Sequence, residues 1–527
     1  MSTGLTPINR ALNLIPKRAE SRHAEELRST FVDSGVAVAL EGVDHQILYG
    51  RRGTGKTHAF RYLETVVNMG GNIAVYADLR TLGSAEGVFG DEPVPKHERA
   101  ARLMVDLLGH FHDTLVEAAL NDDVLIRDRT FIEELDSLEL AISRVRVVGE
   151  VETTGSTEED RRDGRRVGIS AEIATSPSLG FEAGGDFQIG HRRVDEVTRR
   201  GTQRIELNFS DVARSLRSIA RSLTTRRVWI LLDEWSSVSL EVQPYLAAFL
   251  VRCVLPLQQF TVKIAAIEQQ TRFRDQDTNG NLIGLELGAD ISANVDLDEF
   301  MVFEQNETRA REFFRNLLFR HLVTRHDDGR SEVGVGIGTE QDFVRQGFSD
   351  SRALDELVRA AEGVPRDAIN IAAKAGLRAS DRRIAVGDVR AAARSWYQND
   401  KEAALSGRRE AVELLNWIIE RVIRQKRARG FLVDQRSAES SLLRVLFDAR
   451  VLHVVRRGYS GQDAPGVRYN VYLIDYGAYV DLMLTQNAPL GVLSGEDDGS
   501  YVDVPTQDLR AIRRAILDMS TFSASGV

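Results

Sequence analysis

The sequence predicts an α/β fold built on a parallel β-sheet with helices on both faces. Three observations carry this. First, the short apolar run "HQILYG" is followed by the glycine-rich "RRGTGKT" and then by "HAFRYLETVVNMG", where Phe60, Leu63 and Val66 recur at helical spacing and Gly70 is a stop signal. Second, "RRVWILLDEWSSV" (226–238) holds an unbroken apolar run from Trp229 to Leu232 that ends in Asp233 and Glu234. An unbroken run suits a central parallel strand buried on both faces. Third, "GNIAVYADLR" (71–80), "QFTVKIAAIEQQTRF" (259–273) and "ANVDLDEFMVFE" (293–304) read as further strands alternating with helical stretches. In such sheets ligands bind at the C-terminal ends of the strands.

The glycine-rich segment fits G-x-x-x-x-G-K-[ST] at Gly50, Gly55, Lys56 and Thr57, with Gly53 inside the variable stretch. Its place between a strand and a helix gives the pattern chemical meaning. Glycines let backbone N–H groups turn inward around phosphate oxygens at a helix N-terminus. The expected nucleotide-binding residues are Gly50, Arg51, Arg52, Gly53, Thr54, Gly55, Lys56, Thr57 and His58. Lys56 is expected to reach the β- and γ-phosphates and Thr57 to ligate Mg²⁺, which makes ATP and Mg²⁺ the expected cofactors. Arg51 and Arg52 read first as solvated loop arginines, and otherwise as charges that attract phosphate or face a partner subunit. Asp233, at the end of its strand, is placed to hold the metal shell, and Glu234 to polarise the attacking water as general base.

The 527 residues are 43% hydrophobic and 28% charged, an ordinary globular composition long enough for two to four domains. Acidic residues outnumber basic ones, 78 to 68, which argues against a chain-wide nucleic-acid surface but leaves room for a local basic patch. The single cysteine, Cys253, lies in the apolar run "FLVRCVLPL" and reads as a buried thiol. The first twenty residues lack the unbroken apolar core of a signal peptide, and no stretch approaches a membrane span, so a cytoplasmic location is expected.

Over most of residues 15–480 the chain resembles the AAA+ ATPases, in particular the origin-recognition and replication-initiator clade. Besides the two motifs, "EGVPRDAIN" (362–370) resembles the sensor-2 element of that clade. The resemblance implies that Arg366 reaches the γ-phosphate from a helical lid (306–400) and reports nucleotide state. Residues 405–485 look like a winged helix, with "REAVELLNWIIERVIRQ" as an amphipathic helix and a helix–strand–turn–strand pattern after it. Two positions depart from the family. Sensor 1 is usually a small polar residue at the end of the fourth strand, and here Glu268 stands there with Gln269 beside it. The stretch "LELGADISANVDL", where the arginine finger usually lies, has no arginine, so Arg272 and Arg274 are the nearest candidates.

The nucleotide-binding domain is expected over residues 1–305, with an insertion at about 120–205. Residues 97–120 and 210–223 are helical by periodicity. Between them, 149–166 is a charged loop, and 167–190 alternates like a β-hairpin with "TSPS" at its turn. That hairpin is expected either to pack on its own domain or to meet DNA, a partner or a neighbouring subunit. The segment 199–209 reads as another strand, and residues 486–527 as a tail with a helix at 505–519.

Residues 408–457 carry twelve Lys/Arg against six Asp/Glu. On a winged helix this suits double-stranded DNA, with the helix near 438–449 in the major groove and the hairpin on the backbone. The expected contacts are Arg424, Lys426, Arg427, Arg444, Arg456 and Arg457. Protein docking and a structural cap are the other two uses of such a module. Three functions follow. One is an ATP-hydrolysing assembly, a homo-oligomeric ring or filament, in phage defence or a mobile element. Another is a nucleotide switch or scaffold that recruits an effector protein. The third is a replication-initiator-type DNA binder.

Overall fold

The central sheet contains β1 (Gln46–Tyr49), β2 (Ile73–Asp78), β3 (Val228–Asp233), β4 (Phe260–Ala266) and β5 (Ser292–Asp296). All neighbours are parallel, in the order β5-β1-β4-β3-β2. This is the α/β class read from the sequence. The computed structural model describes residues 4–19, 22, 24–82, 95–142, 145–148, 151–153, 172–173, 197–199, 202–205, 208–223, 225–276, 280–300, 306–324, 337–426, 428–460, 466–484 and 515–522.

Alternation along the strands divides the core. Ile47, Val75, Ile230, Leu232, Val262 and Ile264 point to one face, under helices α3 (Lys96–Leu120), α4 (Arg129–Ile142) and α5 (Phe209–Ser222). Leu48, Ala74, Trp229, Leu231 and Ala265 point to the other, where Phe60, Leu63 and Val67 of α2 (Lys56–Met69) cover them. With period-2 alternation and both faces covered, every residue of β1, β3 and β4 is buried. The register sets Asp78 of β2 beside Asp233 of β3, and Tyr49 of β1 between Ala266 and Asp296. The C-terminal ends therefore line up along one edge.

A helical lid follows: α7 (Glu307–Val323), α8 (Glu340–Gly347), α9 (Ser351–Ala360), α10 (Pro365–Ala379) and α11 (Val386–Trp396). A winged helix follows, with α12 (Arg409–Ile419), β6 (Gly430–Asp434), α13 (Ser441–Asp448), β7 (Leu452–Ser460), β8 (Arg468–Ile474) and α14 (Tyr476–Leu484). Its antiparallel sheet runs β6-β8-β7. Lid and winged helix share one continuous hydrophobic core.

Several expectations need correction. The fifth strand ends at Asp296, and α6 (Leu297–Phe300) follows, because the Asp296 carboxylate accepts from the Asp298 amide at 2.9 Å and turns the chain. The chain's first helix, α1 (Pro7–Leu14), packs in the lid core through Ile8, Ala11 and Leu12, so residues 1–305 do not form one packing unit. Asn9 fixes it there by donating to the carbonyls of Ser380 and Arg382 at 2.8 and 2.9 Å. Helix α4 within the insertion had no counterpart in the sequence reading. The hairpin expected at 167–190 lies outside the described residues apart from Glu172–Ile173, which pair antiparallel with Val145–Arg146. Thr202–Ile205 form the strand expected in 199–209, against Val145–Val148. Of the tail helix expected at 505–519, residues 515–519 are described: 515–518 are not helical, and Met519 opens a single 3-10 turn, Met519–Thr521. Leu432 of β6 donates to the Ala515 carbonyl and accepts from the Leu517 amide, both at 2.9 Å. An open sheet edge offers unpaired backbone groups, and the tail satisfies them. Among the described residues no helix is long and apolar enough to cross a membrane.

Candidate nucleotide site

The loop between β1 and α2 opens where the aligned strand ends meet the lid. Gly53 and Gly55 hold φ of 85° and 100°, left-handed values that suit glycine, and they turn the loop toward the start of α2. The Lys56 ammonium is buried and donates to the carbonyls of Gly50 and Arg51 at 2.7 and 3.0 Å. Burial lowers its pKa, while the carboxylates of Glu234, Asp233 and Asp298 pull it back up.

Opposite stand the strand-end carboxylates. Asp233 is fully buried. One of its oxygens accepts from the Tyr76 hydroxyl at 2.7 Å, the other from the Glu234 amide at 2.8 Å. Burial and the adjacent carboxylate push the Tyr76 hydroxyl's pKa well up, so it stays a donor. Glu234 has φ of 55°, a left-handed conformation uncommon for a non-glycine residue, and it turns the chain sharply out of β3. Arg80, just past β2, binds Asp78 at 2.6 Å and lies 3.8 Å from Glu234.

The lid closes the third wall. The Arg366 amide donates to the Gly53 carbonyl at 3.2 Å. A β-carbon at Gly53 would stand 2.8 Å from that of Arg366, so only glycine permits this approach. The cavity, of about 390 Å³, is lined by the polar side chains of Arg52, Lys56, Thr57, Arg80, Glu234 and Arg366. Its walls also include Pro16, Leu27, His58, Leu317 and Ile369, with Lys17, Arg18 and Arg22 from the segment that carries Pro16. There Arg22 bonds the His321 ring at 3.0 Å, and burial lowers the His58 pKa to about 4, leaving a neutral ring against the Leu27 carbonyl.

The cavity thus brings together Arg52, Gly53, Gly55, Lys56, Thr57, His58, Glu234 and Arg366 from the residues expected on sequence grounds. Gly50 and Thr54 shape the loop behind it: Gly50 bonds Ala266 and Thr54 bonds Arg51. Asp233 lies behind Glu234. Arg80, Tyr76 and the segment 16–22 were not anticipated. Arg80 had a usable signal, since it directly follows a strand of a parallel sheet. The 16–22 segment had none.

Other residues lie elsewhere. Arg51 is not a solvated loop arginine. It is 2% exposed, and its guanidinium points away from the cavity to Asp298 at 2.7 Å, the Glu362 carbonyl at 3.2 Å and the His453 ring. Glu268 and Gln269 line a second cavity, of about 450 Å³, with Gln435, Arg436, Glu439 and Arg457 of the winged helix. Glu268 pairs there with Arg457, because the turn after β4 carries it toward β7. Arg272 is half-exposed and 3.6 Å from Asp275, and Arg274 sits in an outer two-stranded hairpin with Leu282–Gly284. Neither lines the nucleotide cavity.

The DNA expectation changes too. Helix α13 has Leu443, Leu446 and Phe447 buried, and Arg51 stands 5.6 Å from the Phe447 ring. The Asp448 carboxyl is bonded by Gln270. The helix expected in the major groove therefore faces the domain of the central sheet, because its apolar residues occupy two faces. Arg444 is half-buried and Arg457 is ion-paired, whereas Arg424, Lys426 and Arg456 are exposed. Arg427 lies outside the described residues.

A family model described as ORC-CDC6-like matches residues 14–69, the span that runs from the first cavity wall through the glycine loop and α2. It bears out the resemblance to the origin-recognition clade. Among solved structures, the crystal structure of Cdc6p from Pyrobaculum aerophilum aligns over 90% of this chain and 96% of its own, at 12% identity and a TM-score of 0.29. No curated protein matches the chain.

Proposed function

We propose that the chain is an ATP-binding and ATP-hydrolysing protein of the AAA+ origin-recognition type, acting through this cavity. One observation carries the reading. Lys56, Glu234 and Arg366, drawn from three distant segments, converge on one cavity whose wall is partly apolar. That lining suits a nucleoside triphosphate, with phosphates at the glycine loop and the base against the apolar wall.

The donor set fits Mg²⁺ held largely by phosphates and water. Thr57 offers a hydroxyl on the cavity wall, and Asp233, fully buried behind Glu234 with both oxygens hydrogen-bonded, would add negative charge to the outer shell. Mg²⁺ is usually bound by one or two protein groups together with phosphates and water. When bound it would supply charge neutralisation at the phosphates. The chain's own residues do the rest. Loop amides orient the phosphates at the start of α2. Lys56 and Arg366 place cations against developing charge. Glu234 accepts the proton of the attacking water.

The test is nucleotide binding and steady-state hydrolysis by wild type, Lys56→Ala and Glu234→Gln. The expected result is binding lost in the first variant, and binding kept with turnover lost in the second. A wild type that fails to bind ATP would sink the reading.

A second reading, a switch with little turnover, is favoured by the absence of an arginine in residues 285–297, before and along β5. A finger must then come from a second copy in a ring or filament, or turnover stays slow. Double-stranded DNA remains a partner in this reading through the exposed Arg424, Lys426 and Arg456, and its stimulation of turnover would separate the two readings.

A further inference from the structure

Seven ionisable residues are almost fully buried where the glycine loop, the lid and the winged helix meet: Arg51, Glu362, Asp367, Lys401, Arg429, His453 and Asp475. Arg51 begins a string through them. Its guanidinium donates to Nδ1 of His453. With Nδ1 accepting, Nε2 carries the proton and donates to Asp475 at 3.0 Å. Asp475 also accepts from Lys401 at 2.5 Å, and Lys401 lies 2.8 Å from Asp367. Asp367 is the immediate neighbour of Arg366. Both walls of the phosphate end therefore hang on one buried string that passes through the winged helix.

The loop end of the string is closely fixed. The Arg51 amide donates to Asp298 at 2.9 Å, so it faces away from the cavity. Its carbonyl accepts from Lys56 and from the Thr54 hydroxyl. Moving the Arg51 backbone would move the lysine and the turn that the phosphates meet. Buried charges are retained at a desolvation cost, and a well-packed apolar junction would be at least as stable. Directional partners give what an apolar junction lacks, a single loop position.

We propose that Arg51 and His453 are positioning residues for the phosphate loop, so that the docked winged helix forms part of the nucleotide site. This rests on the nucleotide reading above. Docking holds the loop in its phosphate-receiving form, and by reciprocity bound nucleotide holds the winged helix docked. Engagement of α13 by any partner requires undocking, which breaks the Arg51–His453 contact and releases nucleotide.

The test uses the full chain and a fluorescent, slowly hydrolysed ATP analogue with Mg²⁺. Arg51→Ala and His453→Ala should each weaken binding about tenfold, within the usual range of coupling between sites. The double variant should be no weaker than the worse single one. His453→Gln, with an acceptor for Arg51 and a donor for Asp475, should recover most of the affinity. In the wild type, the analogue should slow amide exchange at Leu452–Val454. Unchanged affinity in both single variants, losses that multiply in the double, or unchanged exchange in the wild type would each overturn the proposal. Wild type that does not bind the analogue removes the nucleotide reading and this one together, whereas normal binding by the variants removes this one alone.

Discussion

The C-terminal edge of the central sheet is used in two ways. Over β2 and β3 it is open, and Arg80, anchored on Asp78, lines the cavity with Glu234. Over β1, β4 and β5 it is covered by the winged helix, and Arg51, Asp298 and Glu268 are tied into ion pairs. The two halves carry similar residue types at similar strand positions. Neighbouring packing, rather than position on the strand, separates a group free to react from a group that holds domains together.

The largest effect is expected where the covered half is deepest. Asp367 is fully buried between Lys401 and Arg450, and it also accepts from Trp396 at 3.1 Å. Asp367→Ala removes one carboxylate from each of two buried cations, leaving Asp475 on Lys401 and Asp400 on Arg450, and should cost up to about 3–5 kcal/mol in urea unfolding. Acid should find the same junction. Burial pushes the Asp367 and Asp475 carboxyls up, but Lys401 and the other cations around them win, and both sit below the usual carboxylate range. Their contribution is present above the unfolded value of about 3.9 and is lost as pH falls below it. An acid transition unchanged in Asp475→Asn would remove this distinction between the halves.

The open half should respond in activity and not in stability. Glu234→Gln should lower turnover by about 10²–10⁴, the usual contribution of a general base, with unfolding unchanged. Glu268→Gln, at the end of the adjacent strand, should lower it less than about tenfold, because its partner is Arg457 and not water in the cavity. Equal losses in the two variants would mean that the edge acts as one site.

Gly53 joins the halves, since its carbonyl receives the Arg366 amide. Gly53→Ala meets both a left-handed φ of 85° and the Arg366 side chain. It should cost about 1–3 kcal/mol, the range for a strained backbone residue. Nucleotide affinity should fall with it, as the lid moves off the loop. Thermal unfolding and analogue binding measure the two effects separately.

The sequence made local chemistry legible. Gly50–Thr57 and Asp233–Glu234 are short segments whose strand and helix context is contiguous, so the pattern and the geometry agree. What it hid was pairing across distance. Arg51 reads as a loop charge because its partners, Asp298 and His453, are hundreds of positions away. Helix α1 reads as part of the first domain because nothing near it encodes the lid surface it covers. The end of β5 was missed because Leu297 continues an apolar pattern that the Asp296 turn has already broken. Glu268 was placed correctly at a strand end, but its direction is set by the following turn and by an arginine in the last domain.

The smallest effect is expected at that arginine. The Arg457–Glu268 pair bridges the same two domains as the buried string, yet both side chains are about one-third exposed. Exposed pairs contribute about 0–1 kcal/mol and weaken further with salt. Arg457→Ala should therefore leave unfolding within about 1 kcal/mol of wild type and nucleotide affinity within about twofold, while Arg51→Ala, bridging the same domains from inside, does not. Raising salt to 1 M should leave wild-type analogue affinity dependent on His453, because buried pairs are screened little. If Arg457→Ala proves as damaging as Arg51→Ala, the winged helix is held by its surface charges, and the buried string follows the docking instead of setting it.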